Sequence, residues 1–219
     1  MAIFLDTGDI NEIMKYKSLG IISGVTTNPT ILKQCGISNK DELVEIIHKT
    51  FPFPVSVEVT TNDKEKMIIQ AIEFFRINHR NVNIKIPIHG PNGELENLEI
   101  ITRLEKRKRI PVNVTAMMNA QQGFIAAMAG ATYVSIFGGR VADMGYDTMA
   151  EIRKLRHLID RFQLKAKIIL GSSREVVNII DWLMAGADII TVTPDLLKKM
   201  IIHPRTETTV RQFLEDGRG

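Results

Sequence analysis

The stretch VNVTAMMNAQQGFIAAMAGATYVSIF, residues 112–137, decides the fold. It opens on Val112–Thr115 and closes on Tyr133–Phe137, two short runs rich in β-branched and aromatic residues. Tyr133–Phe137 is near-continuously apolar, as are most such runs in the chain, and strands buried on two faces read that way. Between them, Ala120–Ala129 has helical spacing, and Gly130 follows where a C′ glycine belongs. A strand, a helix and a second strand joined this closely form a βαβ unit, whose strands pair in parallel.

The same unit recurs in both directions along the chain. Ile3–Leu5, Val25–Thr27, Val55–Val59 and Val82–Ile86 precede the quoted stretch, and Lys167–Leu170 and Ile189–Val192 follow it. Helical segments separate them. Asn39 leads into Leu43, Val44, Ile46 and Ile47, and Asn62 or Asp63 caps a segment running to Phe75. Thr148–Phe162 and Glu175–Ala185 read likewise, with Gly186 past the end of the latter. The expected fold class is therefore α/β, a single (β/α)8 TIM barrel over residues 1–219 with a C-terminal helical tail. An open doubly wound sheet is the alternative. It fits less well, because the first turn has no G-x-G-x-x-G and the polar residues do not gather at one switch point.

Those polar residues sit on or just after many strands, whose C-terminal ends converge on one face of a barrel. Asp6 closes strand one, and Thr26, Thr27 and Asn28 close strand two. Glu58 lies in strand three and Lys85 in strand four. Asn113 and Thr115 lie in strand five, and Ser135 and Phe137 in strand six. Arg140 follows Gly138-Gly139, and Ser172 and Arg174 follow strand seven.

Lys85 is the sharpest of these, in the otherwise apolar Val82-Asn83-Ile84-Lys85-Ile86-Pro87. Desolvation disfavours an ammonium, and a lysine that is neutral near pH 7 can attack a carbonyl and form an imine. The bland alternative is a structural lysine paired with a carboxylate, or one that snorkels to water. Glu58 is the simplest ion-pair partner. Asp6 and Glu58 are both candidates for the proton transfers that imine chemistry needs. Taken alone, Asp6 reads first as a helix N-cap or a loop carboxylate. Arg140 and Arg174 offer bidentate donors for a phosphate beside glycine-rich turns, although isolated arginines are more often solvated.

The bulk properties bound the reading. With 44% hydrophobic and 24% charged residues, the 219-residue chain has an ordinary globular composition. The net charge of +3 permits an anionic substrate without requiring one. The single cysteine, Cys35, rules out an internal disulfide and suits a reducing, cytoplasmic setting. The first residues, MAIFLDTGDI, do not read as a secretory signal. No apolar run approaches the roughly 20 residues of a membrane span, so no membrane partner is expected. The five histidines lack metal-ligand spacing. Lys106–Arg109 is a basic run ending a helix, without interleaved aromatics, so no nucleic-acid partner is expected.

Two motifs then carry a family resemblance. Gly24-Val25-Thr26-Thr27-Asn28-Pro29-Thr30 resembles the transaldolase signature, and Asn83-Ile84-Lys85-Ile86-Pro87 resembles that family's Schiff-base strand. The resemblance runs over essentially the whole chain, including Met200–Pro204, and the length matches a short branch that also holds fructose-6-phosphate aldolases. It implies that Lys85 attacks a ketose phosphate such as fructose 6-phosphate or sedoheptulose 7-phosphate. Asp6 would take the C4 hydroxyl proton, and an aldose phosphate would accept the dihydroxyacetone unit. Glu58 and Thr115 would hold a proton-shuttling water. Asn28, Asn113 and Ser135, with Thr27 and Phe137, would bind the substrate, and Arg140, Ser172 and Arg174 its phosphate. No cofactor and no metal are implied. Partners would be sugar phosphates and further copies of the chain, as a homo-pentamer or homo-decamer, with a tail of about residues 200–219 packing on a neighbouring subunit.

Aldolases of that branch resemble the same barrel but carry glutamine at the position of Glu58 and tyrosine at that of Phe137. They lack the asparagine found here at 113 and the arginine at 174. At these four positions the chain resembles a transaldolase. The competing classes are a Schiff-base lyase and a non-catalytic protein using Lys106–Arg109.

Overall fold

In a computed structural model, residues 2–218 are described; Met1 and Gly219, the two ends of the expected 1–219 domain, lie outside them. Among the described residues, eight parallel strands close a barrel in chain order. They are β1 (Ile3–Asp6), β2 (Val25–Thr26), β3 (Val55–Glu58), β4 (Val82–Pro87), β5 (Val112–Met117), β6 (Tyr133–Phe137), β7 (Lys167–Gly171) and β8 (Ile189–Val192). The (β/α)8 expectation holds. Most strand boundaries fall within a residue of those read from the sequence. The exception is β5, which runs to Met117 and shifts register against β6 between Val114 and Met117, with Ala116 at φ +60°. A bulge of this kind breaks the in–out alternation locally: Ala116 lines a recess with Glu58, and Met117 joins the core under the helices.

Most of the connecting helices form where the sequence supplies caps, α5 and α7 being exceptions. They are α1 (Ile10–Ser18), α2 (Pro29–Gln34), α3 (Lys40–Thr50), α4 (Lys64–Ile77), α5 (Glu96–Thr102), α6 (Ala120–Ala129), α7 (Gly138–Asp143), α8 (Thr148–Arg161), α9 (Val176–Met184), α10 (Pro194–Ile201) and α11 (Pro204–Asp216). Asn39 and Glu42 form a reciprocal capping box on α3, and Asp63 rather than Asn62 caps α4. Gly130, at φ +104°, ends α6 in the left-handed conformation that glycine tolerates best. The basic run does end a helix, but as a π-helical turn, Arg103–Lys108, closed by Arg109 at φ +56°.

Two apolar layers hold the barrel. Outward strand residues such as Leu5, Val25, Ile84, Val114, Val134 and Ile168 pack under the helices in one continuous core. Inside, Phe4, Tyr133, Ile169 and Ile189 form a separate cluster that plugs the barrel below the site. The Phe4 and Tyr133 rings meet edge to face, with centroids 6.2 Å apart. Gly24 makes room for Phe4, since a Cβ there would lie 2.5 Å from its ring.

Candidate active site

Above the apolar plug the inward positions turn polar. Asp6 (β1), Thr26 (β2), Lys85 (β4), Asn113 (β5), Ser135 and Phe137 (β6), Gly171 (β7) and Thr191 (β8) line one cavity of about 210 Å³. Strand period explains why one face is shared: successive residues alternate sides, so each strand sends every second side chain inward. Register does the rest. Glu58 pairs with Lys85 across β3 and β4, and Lys85 with Asn113 across β4 and β5. An acid, an amine and an amide therefore stand side by side.

Lys85 is 4% exposed, and its Nζ lies 3.2 Å from Glu58 Oε2 and 3.1 Å from the Thr27 carbonyl oxygen. Two of its three donor directions are occupied, and the third is left for the cavity. Burial without a partner would be costly, and Glu58 provides one. Glu58 itself stands slightly apart. It opens toward a neighbouring recess shared with Ala116, Asn28 and Phe137.

Asp6 is neither a helix cap nor a free loop carboxylate. The cap of α1 is Asp9, whose Oδ1 accepts from Asn11 and Glu12. Asp6 Oδ1 accepts from Thr26 Oγ1 at 2.6 Å. Desolvation raises the Asp6 carboxyl above the ordinary carboxylate value, against the opposing pull of Lys85 and of the Thr26 hydrogen bond.

The amides are held by neighbours. Ser135 Oγ donates to Asn113 Oδ1 at 2.6 Å, and Asn113 Nδ2 donates to Ser56 Oγ at 3.0 Å. One Asn113 N–H remains for a ligand. Asn28 caps α2, accepting from the Ile31 N–H at 2.9 Å, which leaves its Nδ2 free to donate at the cavity wall. At the mouth, the Arg140 guanidinium lies over the Phe137 ring, 4.9 Å from its centroid. Arg174 Nη2 lies 2.9 Å from Asp143 Oδ2 on α7. Gly138 and Gly139 begin α7 rather than forming an open turn. A Cβ on Gly139 would collide with the Ser172 carbonyl oxygen, and Ser172 itself sits at φ +61°. That close approach lets Arg140, Ser172 and Arg174 share one rim.

Ten of the twelve residues read from the sequence thus meet at the barrel mouth, Glu58 through its contact with Lys85. Two stand differently. The Thr27 side chain is fully buried and donates to the Ser56 carbonyl, so Thr27 offers its own carbonyl to Lys85 and no side chain to the cavity. Thr115 is buried, with its hydroxyl unpartnered among the described residues. Ser56, Thr191 and Thr193 escaped the sequence reading. Period two could have flagged Ser56, two residues before Glu58. Thr191 is the lone hydroxyl in Ile189-Ile190-Thr191-Val192. Among the described residues, no three His, Cys, Asp or Glu side chains are grouped as a metal ion would need.

Residues 3–217 match the family described as Transaldolase/Fructose-6-phosphate aldolase. The chain belongs to that family. Curated relatives in the transaldolase family include a "Probable transaldolase" of Carboxydothermus hydrogenoformans, 39% identical over 99% of this chain and 97% of the relative. Another, from Heliobacterium modesticaldum, is 40% identical with the same coverage. A mutant flavocytochrome b2 solved with pyruvate bound superposes with a TM-score of 0.64 at 11% identity, over 88% of this chain and 57% of that one. At that identity the likeness is one of fold. No helix of the described chain is long and apolar enough to cross a membrane.

Proposed function

We propose that the protein is a transaldolase that moves a dihydroxyacetone unit from a ketose phosphate to an aldose phosphate through a Schiff base on Lys85. The observation that carries this reading is the buried Lys85 with its Nζ against Glu58, facing a cavity whose rim bears two arginines.

Glu58 takes a proton from the Lys85 ammonium with which it pairs. The freed amine attacks the ketose carbonyl carbon, one nitrogen proton passes to the carbonyl oxygen, and a carbinolamine forms. Glu58 then gives its proton, with Thr115 and a bound water, to the departing hydroxyl. Water leaves, and an iminium joins Lys85 to C2 of the sugar. Asp6 then removes the C4 hydroxyl proton. The C3–C4 bond breaks, its electron pair passes into the enamine, and the aldose phosphate departs. Its replacement is attacked by the enamine carbon, Asp6 returns the proton to the new hydroxyl, and hydrolysis frees Lys85. Asn28 and Asn113 hold the dihydroxyacetone hydroxyls beside Ser135, and Arg140, Ser172 and Arg174 hold the phosphate. Phe137 has no hydroxyl with which to protonate the enamine, so the three-carbon unit waits for an acceptor.

The chain would work in the cytoplasm as a homo-pentamer or homo-decamer. The α11 helix buries none of its side chains and exposes Val210, Phe213 and Leu214. It is expected to pack on a neighbouring subunit, and a 24.7 kDa species in light scattering at micromolar concentration would sink that idea. The enzymatic test mixes fructose 6-phosphate with the protein, with and without erythrose 4-phosphate, and follows sedoheptulose 7-phosphate and free dihydroxyacetone. Rapid dihydroxyacetone release that needs no acceptor makes it a lyase instead. Borohydride reduction should leave a three-carbon adduct on Lys85, and an adduct mapped to any other residue refutes the mechanism.

A further inference from the structure

The mechanism above gives no part to Thr26 or Thr191, although both are buried and both line the cavity. Asp6 on β1 has β2 on one side and β8 on the other. Thr26 Oγ1 lies 2.6 Å from Asp6 Oδ1, and Thr191 Oγ1 lies 2.5 Å from Thr26 Oγ1. Three oxygens from three adjacent strands therefore stand in file, ending at the cavity.

Counting protons fixes the direction of this file. A hydroxyl has one proton to give, and an ionised carboxylate can only accept. Thr26 gives its proton to Asp6, so it has none for Thr191. Two oxygens at 2.5 Å need a proton between them, and Thr191 must supply it. With Asp6 ionised, both hydroxyls donate toward the carboxylate, and each polarises the next. When Asp6 takes up a proton the file reverses, and Thr191 is left to donate into the cavity.

We propose that Thr191 is a positioning residue that sets the orientation and basicity of Asp6 through Thr26. Of the described side chains around Asp6, Thr26 alone holds it by a hydrogen bond, and Thr191 is the hydroxyl behind Thr26. The strand neighbours of Asp6 present only the two uncharged hydroxyls. Lys85, across the cavity, is the charge that opposes the desolvation of Asp6. Glu58 is tied to Lys85, and Arg140 and Arg174 stand at the rim. The kinetic part of the inference rests on the transaldolase reading. The titration part rests on the geometry alone.

The test compares full-length wild type with Thr191→Val, which loses the hydroxyl at near-constant shape, and Thr191→Ser, which keeps it. Carbon-13 NMR of aspartate-labelled protein follows the Asp6 carboxyl, assigned with Asp6→Asn. The valine variant should titrate Asp6 higher by about half to one pH unit, and the serine variant should stay near wild type. In the transfer assay, the acid limb of kcat/KM should move the same way. At neutral pH kcat should fall roughly 3–10-fold, while KM for fructose 6-phosphate stays within about twofold. Should the valine variant not fold, Thr191→Ala carries the same expectation. An Asp6 midpoint that stays put or falls on loss of the hydroxyl overturns the inference, as does a serine variant that titrates like valine. If wild type transfers nothing, the transaldolase reading fails and the NMR titration still decides this one.

Discussion

Asp6→Asn separates the two effects of the part-buried carboxylate. Asparagine has nearly the same shape and can still accept the Thr26 proton, but it carries no charge and takes up no proton. The surface that Asp6 retains opens to the cavity, and burial pushes its carboxyl above the ordinary value of 3.8 despite Lys85 and Thr26. A folded pKa above the unfolded one means that the folded chain holds its proton more tightly. Stability then falls as pH rises between the two values. The penalty is absent below about 3.8 and complete above the folded pKa. At about pH 8 the variant should therefore be more stable than wild type and melt at a higher temperature. The gain should shrink as pH is lowered toward the ordinary value of 3.8. Activity should move the other way, since losing a positioned base costs about 10²–10⁴ in kcat. Lys85 and Glu58 are untouched, so borohydride should trap the intact six-carbon ketose phosphate on Lys85 in place of the three-carbon unit. Thermal melts across pH and mass spectrometry of the trapped protein read both effects. A variant less stable than wild type at about pH 8, or a gain that does not vary with pH, refutes desolvation as the dominant influence on Asp6. A three-carbon adduct formed at the wild-type rate refutes Asp6 as the base.

Three further perturbations address the rim and the enamine. If Arg174 holds the phosphate as proposed, Arg174→Gln should raise KM for fructose 6-phosphate about 10–100-fold while leaving unphosphorylated fructose little changed, because of the sugar's groups only the phosphate would meet the donors it removes; equal losses on both sugars would place Arg174 elsewhere. Gly139→Ala drives a Cβ into the Ser172 carbonyl oxygen and should cost about 3 kcal/mol or more in urea unfolding, with a raised KM for phosphorylated donors in whatever fraction folds. Phe137→Tyr puts a hydroxyl beside the enamine and should raise acceptor-independent dihydroxyacetone release severalfold, read by a coupled reductase assay; unchanged release would mean that this position does not control the fate of the enamine.

The barrel was legible because its strands are buried on both faces and its helices carry their own stop signals. Val112–Thr115, Ala120–Ala129 with Gly130, and Tyr133–Phe137 fall close to the elements they became. Lys85 was legible for a related reason: an ammonium in an apolar strand must be explained, and Glu58 three strand positions past Val55 was the available partner. The sequence was less informative where conformation depends on neighbours. The β5 bulge at Ala116 has no glycine or proline to announce it, and α7 begins on two glycines that read more naturally as a turn. Thr27 shows the same limit at the level of one side chain. It belongs to the motif that resembles a catalytic signature, yet parity turns its hydroxyl to Ser56 and leaves its neighbour Thr26 facing Asp6.

Parity also explains why Thr191 could not be valued from its own strand. Residues 189–192 read as a buried apolar strand in which one hydroxyl is tolerable, and nothing local ties that hydroxyl to an aspartate at the other end of the chain. Only barrel closure, which pairs β8 with β1, puts Thr191 two oxygens from Asp6. The contrast with Lys85 is physical. A buried charge shows in the sequence because its cost is several kcal/mol whatever surrounds it. A buried hydroxyl is affordable almost anywhere it finds one partner, so its meaning lies entirely in which partner the closed fold supplies.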